Sequence, residues 1–154
     1  MFKYKKILVP TDFSDNAFKA LELVQEIADV TKAEVHILHV VEPNLIPTDV
    51  LVYPKTTLDE VEVLTKTKAN EKMEKTIGKI KKKGLRIHTG VKKGNPPDEI
   101  IAYAEENDID LICISTYGVS GLEHLVFGSV SEKVLRKAEC DTIAIKSADS
   151  DSEE

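Results

Sequence analysis

An α/β domain, with one parallel sheet and helices on both faces, is predicted by three features of the sequence. Five short segments rich in Val, Ile and Leu recur along the chain, and segments of helical period separate them. Three of the five, Ile7-Leu8-Val9, Ile37-Leu38-His39-Val40-Val41 and Leu111-Ile112-Cys113-Ile114, are nearly unbroken apolar runs. Such runs suit strands covered on both faces. Strand and helix in strict alternation imply right-handed crossovers and parallel strands. Periodicity leaves the strand order open, a doubly wound packing being the expectation.

The first strand is read over Lys6–Pro10, followed by the turn Thr11-Asp12-Phe13-Ser14. Ser14 or Asp15 caps the first helix, whose apolar stripe is Ala17, Ala20, Leu21, Val24, Ile27 and Ala28. The second strand covers Val35–Val41. From Glu42 to Thr56 the chain holds Pro43, Pro47 and Pro54 and no period, so a long loop is expected. The second helix, Leu58 to Lys83, is long and basic. Its end, Lys81-Lys82-Lys83-Gly84, reads as a cationic last turn before a left-handed glycine. Leu85–Val91 is the third strand. Asn95-Pro96-Pro97-Asp98 then supplies a cap, first-turn prolines and an acid at the positive end of the third helix, whose stripe begins Ile100, Ile101, Ala104. The fourth strand is Asp110–Ser115. Ser129-Val130-Ser131-Glu132 has capping-box spacing and opens the fourth helix, and Thr142–Lys146 is the fifth strand. Residues 1–147 form the domain, and 148–154 an acidic disordered tail.

Composition narrows the function. The 154 residues carry 21 Lys and Arg against 27 Asp and Glu, a formal charge of −6. That balance argues against coating nucleic acid, which favours a basic surplus. Between Lys55 and Lys93 the sign reverses, twelve Lys and Arg to five Asp and Glu, but no aromatics are interleaved. The cluster reads as a solvated helix face. No apolar run approaches the roughly 18 residues of a membrane span. The apolar part of the N-terminus ends at Pro10 after three residues, too short for a signal core, so a cytoplasmic protein is expected. Two cysteines, Cys113 and Cys140, both beside apolar runs, are read as packed thiols.

Ligands of open parallel sheets sit beyond the carboxyl ends of the strands. The first strand delivers Thr11 and Asp12 there. The fourth delivers Ser115-Thr116-Tyr117-Gly118-Val119-Ser120-Gly121, with Gly128-Ser129 following at a helix start. Glycines admit close backbone approach, and a helix start offers amides, hydroxyls and the positive dipole end to an anion. Each feature also has a purely structural use: Asp12 as a turn residue, Ser129 as a cap, the glycines as turn formers. Several chemistries drop out. There is no Gly-Lys-Ser/Thr for a P-loop, no glycine fingerprint after the first strand, and no Gly-x-Ser-x-Gly elbow. The third strand ends Thr89-Gly90-Val91-Lys92-Lys93 and lacks the aspartate of a phosphoacceptor domain. His36 and His39, three apart on a strand, point to opposite faces; with His88 on another strand and His124 in the glycine-rich loop, no metal site is expected.

Lys6-Ile7-Leu8-Val9-Pro10-Thr11-Asp12-Phe13-Ser14, Leu38-His39-Val40-Val41, Asp110 to Gly118 and Gly128-Ser129-Val130-Ser131-Glu132-Lys133-Val134 together resemble the universal stress protein family, over Lys5 to about Lys146. The resemblance implies a Rossmann-like five-stranded sheet of order 3-2-1-4-5, a homodimer through the last strand and, in many members, ATP binding. The family signature Gly-x2-Gly-x9-Gly-Ser/Thr reads here Ser115-x2-Gly118-x9-Gly128-Ser129, one glycine being replaced by serine, and Tyr117 stands where histidine is common. Carried over, Pro10, Thr11 and Asp12 would meet ribose or base, the Val40 backbone the adenine, and Ser115 and Gly118 the ribose and phosphates. Gly128, Ser129, Val130 and Ser131 would cradle the phosphates. Magnesium would ride on the triphosphate rather than in a carboxylate cage. Without a general base or arginine finger, hydrolysis would be slow at most. The alternative implied is a dimeric interaction module that binds no nucleotide and acts through a protein partner.

Overall fold

The computed structural model describes residues 3–43, 58–116 and 128–146. Its elements are β1 (Lys6–Pro10), α1 (Asp15–Thr31), β2 (Glu34–Val41), α2 (Leu58–Gly78), β3 (Ile87–Lys93), α3 (Pro96–Glu106), β4 (Leu111–Ser115), α4 (Ser129–Lys137) and β5 (Asp141–Ile145). Among the described residues the strands form one parallel sheet of order β3-β2-β1-β4-β5. Most of the proline-bearing loop, Tyr117, Gly118 and the tail lie outside the described residues.

The unbroken apolar strands divide their side chains between two cores. Ile7, Val9, Val35, Ile37, Leu111 and Cys113 pack with Ala20, Leu21, Val24 and Ala28 of α1 and Met73 of α2. Leu8, Leu38, Ile112 and Ile114 pack with Ile100, Tyr103 and Ala104 of α3 and Val134 of α4. Period-two alternation thus feeds both layers, and each wholly buried Leu or Ile contributes roughly 1.5–3 kcal/mol. The edge strands β3 and β5 have water on one side and lack such runs.

Ser14 caps α1, its Oγ accepting from the Ala17 N–H, and Asn95 caps α3 ahead of two prolines. The bounds of β2, β4 and β5 differ from the sequence reading by one residue, and three other boundaries differ for reasons visible in the structure. The third strand is Ile87–Lys93 rather than Leu85–Val91, because its ladder to β2 runs from Val35 opposite Ile87 to Val41 opposite Lys93. An edge strand tolerates the exposed lysines. The second helix stops at Gly78, not Lys83. Lys79 and Ile80 donate to Thr76 and Ile77 in tightened turns, and Lys82 is held by Glu26 and Asp29 of α1. Gly84 does adopt a left-handed φ of 83°, but in the turn entering β3. The capping box is not formed: Gly128 is the N-cap of α4, Ser129 its first residue, and no side chain caps it.

Candidate functional site

A cleft of about 580 Å³ opens at the carboxyl ends of β1 and β4, within the range of small-ligand sites. It lies where the strand order reverses. The β1–β4 ladder pairs Ile7 with Leu111 and Leu8 with Ile112 and extends no further. Pro10, just beyond that end, cannot extend it. The Thr11 N–H donates to Leu38 O of β2 at 2.8 Å, so the preceding N–H position faces β4, and proline has no N–H to place there.

The β1 rim is a pair of local turns. Thr11 Oγ1 accepts the Phe13 N–H at 3.0 Å, and Asp12 Oδ1 accepts the Ser14 N–H at 3.0 Å. Between them Phe13 adopts φ 66°, an outlier for a bulky residue of the kind found at functional turns. Its ring lies 4.4 Å from that of His39. His39 Nδ1 lies 2.8 Å from Thr11 O, so Nδ1 carries the proton and donates. Burial lowers the His39 pKa from its ordinary value, with the Thr11 bond opposing, so the ring is neutral at pH 7.

The β4 rim is stitched to α4 through one carbonyl. Thr116 O accepts the Gly128 N–H at 2.7 Å, and Ser131 Oγ lies 3.5 Å from it and 3.0 Å from Gly128 O. A Cβ on Gly128 would stand 2.9 Å from Thr116 O, so only glycine fits. The first intrahelical bond is donated by Glu132 to Gly128 O. The amides of Ser129, Val130 and Ser131 precede it, at the positive end of the helix dipole. Gly128 therefore supplies close approach, and the Ser131 hydroxyl supplies anchorage, while the candidate donors to a ligand are the three amides and the exposed Ser129 side chain.

Pro10, Thr11, Asp12, Val40, Ser115, Gly128, Ser129, Val130 and Ser131 all line this cleft; Gly118 lies outside the described residues. The sequence reading placed Phe13 and Thr116 at the strand mouths without naming them as binding residues, and missed His39 and, from α2, Thr65, Lys68, Ala69 and Lys72. Spacing three and four apart placed Thr65, Lys68, Ala69 and Lys72 on one helix face, which was the available signal. Part of the basic run read as a solvated face is thus cleft wall.

Residues 3–146 match the model of the universal stress protein family. Universal stress protein MJ0531 of Methanocaldococcus jannaschii is 34% identical over 143 residues, covering 93% of this chain and 82% of that protein. The solved structure of MJ0577, from the same organism, superposes with a TM-score of 0.82 at 30% identity, covering 97% of this chain and 100% of that one. The universal stress protein from Archaeoglobus fulgidus, solved in complex with dAMP, gives a TM-score of 0.64 at 25% identity, covering 94% of this chain and 100% of that one.

Proposed function

The chain belongs to the universal stress protein family, and from that premise we propose that its cleft binds an adenine nucleotide, ATP, as a regulatory ligand in stress response or signalling. One observation carries the reading: the cleft joins the mouth of β1 to the N-terminus of α4. In this reading the amides of Ser129, Val130 and Ser131 receive the phosphates, as helix starts do. Lys68 and Lys72 on the α2 wall add positive charge. Thr11 and Asp12 meet the ribose or base, the Val40 backbone meets the adenine, and Ser115 and Gly118 flank the sugar and phosphates. Mg²⁺ travels on the triphosphate. No lining residue is assigned a catalytic role, so turnover is slow at most. The A. fulgidus relative's dAMP complex supports an adenine nucleotide in this fold.

The nucleotide reading is tested by thermal denaturation with 1 mM MgATP, ADP or AMP. A ligand at 100 times its Kd stabilises by about 2.7 kcal/mol, roughly 5–10 °C for a domain of this size. No shift with any of the three overturns it. A second reading rests on Ser115, which stands at the cleft in place of the family glycine: a dimeric interaction module, acting through a protein partner without nucleotide. Restoring Ser115→Gly separates the two, since it creates a shift only if the serine had closed the site.

Both readings include a homodimer through β5 and a cytoplasmic location. Support for the dimer is the contrast between the two sheet edges. β3 carries His88, Lys92 and Lys93, whereas β5 reads Asp141-Thr142-Ile143-Ala144-Ile145, with Ile143 37% exposed. An edge with few gatekeeping charges favours strand addition. For the location, the support is that no helix among the described residues is long and apolar enough to cross a membrane.

A further inference from the structure

We propose that Glu34, His36 and His88 form a binding site for a divalent transition-metal ion of the zinc class, separate from the nucleotide cleft. Pairing of β2 with β3 sets His36 opposite His88. Glu34, two residues before His36, shares its face of the sheet. The imidazole rings stack with centroids 4.7 Å apart. Glu34 Oε2 lies 3.7 Å from His36 Nε2 and 3.6 Å from His88 Nε2. One ligand atom from each residue fits within a 4.8 Å group. Metal–nitrogen bonds of ~2.0–2.1 Å in a tetrahedron place ligand atoms roughly 3.3 Å apart, so small side-chain rotations close the set. A water would take the fourth position.

An independent observation points to a ligand. His36 is 6% exposed, and its Nε2 is buried with no hydrogen-bond partner among the described residues. The 3.7 Å separation from Glu34 exceeds hydrogen-bond reach. A buried polar atom left in this way is costly and calls for an explanation. A metal ion supplies one. The other side of the ring is already arranged for it. His36 Nδ1 lies 2.8 Å from Tyr103 Oη, so Nδ1 can donate there and leave the Nε2 lone pair for the metal. Arg86 holds the opposite carboxylate oxygen, Nη1 to Oε1 at 3.1 Å, and so orients Oε2 toward the histidines. Its charge, with that of Lys6 nearby, opposes a second cation and weakens the expected affinity. Two imidazoles and one carboxylate suit Zn²⁺, Cu²⁺, Ni²⁺ or Co²⁺ rather than Mg²⁺ or Ca²⁺.

The test titrates the full chain with Co²⁺, without nucleotide, and reads the visible d–d bands, with Zn²⁺ displacing the cobalt. One ion per chain is expected, with bands free of thiolate charge transfer. His88→Ala, at a largely exposed side chain, should weaken Co²⁺ binding at least tenfold while leaving the metal-free melting temperature unchanged. Tyr103→Phe, which removes only the positioning hydroxyl, should weaken it by roughly 10–100-fold. Absence of d–d bands at millimolar Co²⁺ overturns the site. So does thiolate charge transfer, which would assign the ion to Cys113 or Cys140, or a Co²⁺ affinity unaltered in His88→Ala.

Discussion

His39 is where sequence, geometry and electrostatics meet most closely in single side chains. Placed on β2 by a run that looked merely apolar, it donates to the carbonyl of Thr11 and packs on Phe13. Burial, aided by Lys72, outweighs the Thr11 bond and Asp12, which both favour the charged form. The unfolded chain takes up a proton near pH 6.5, whereas the folded chain resists it until lower pH. The unfolded state therefore binds more protons in that window, and acid destabilises the fold. The contribution is intact above about pH 6.5 and is lost as pH falls from there through the lowered folded pKa. His39→Gln should flatten the fall of the urea midpoint on acidification. It should not abolish it, because burial also lowers the pKa of His36. An identical pH slope in the variant would contradict this assignment. Cys113, pushed up to about 12 by burial, is a packed thiol with no thiolate chemistry near neutral pH, as its apolar neighbours in the sequence indicated. The sequence showed that His36 and His39 face opposite ways. It did not show His36 beside His88, since that contact depends on the register of strands 52 residues apart.

At the scale of elements, legibility followed local signals. Ser14 and Asn95 announce their helices because a cap is a bond over three residues. The start of α4 misled the reading. Ser129 and Glu132 carry capping-box spacing, yet Thr116 O draws the Gly128 N–H and fixes the cap one residue earlier. That constraint comes from a strand end twelve residues away and leaves no local trace. The far end of α2 misled it too, because Gly78 and the grip of α1 on Lys82 end the helix before its lysines do. The α4 junction governs the nucleotide reading. Gly128→Val would drive a side chain against backbone that cannot move aside, and overpacking of this kind costs about 1–3 kcal/mol. The variant should melt lower and show no shift with MgATP. A full nucleotide shift retained in Gly128→Val would separate the cleft from binding.

The whole molecule is a sheet whose inner strands are sealed by helices on both faces and whose two edges differ. Alternation of strand and helix made the layered architecture legible, and family resemblance supplied the order β3-β2-β1-β4-β5, since periodicity carries no information on neighbours. The edge contrast predicts that light scattering finds a dimer at micromolar concentration, and that Ile143→Lys, placing a charge on the β5 edge, shifts it to monomer. A wild-type monomer, or a dimer indifferent to that charge, would contradict assembly through β5. The cleft at the carboxyl ends of β1 and β4 takes a nucleotide against the first turn of α4 in the proposed function. Backbone ¹H–¹⁵N spectra of the labelled protein titrated with MgATP test this at the residues concerned. The largest shifts are expected at the amides of Ser129, Val130 and Ser131, with Thr11, Asp12 and Val40 following. Saturating nucleotide that leaves those amides unmoved, or moves only residues remote from the β1–β4 cleft, would contradict the nucleotide reading.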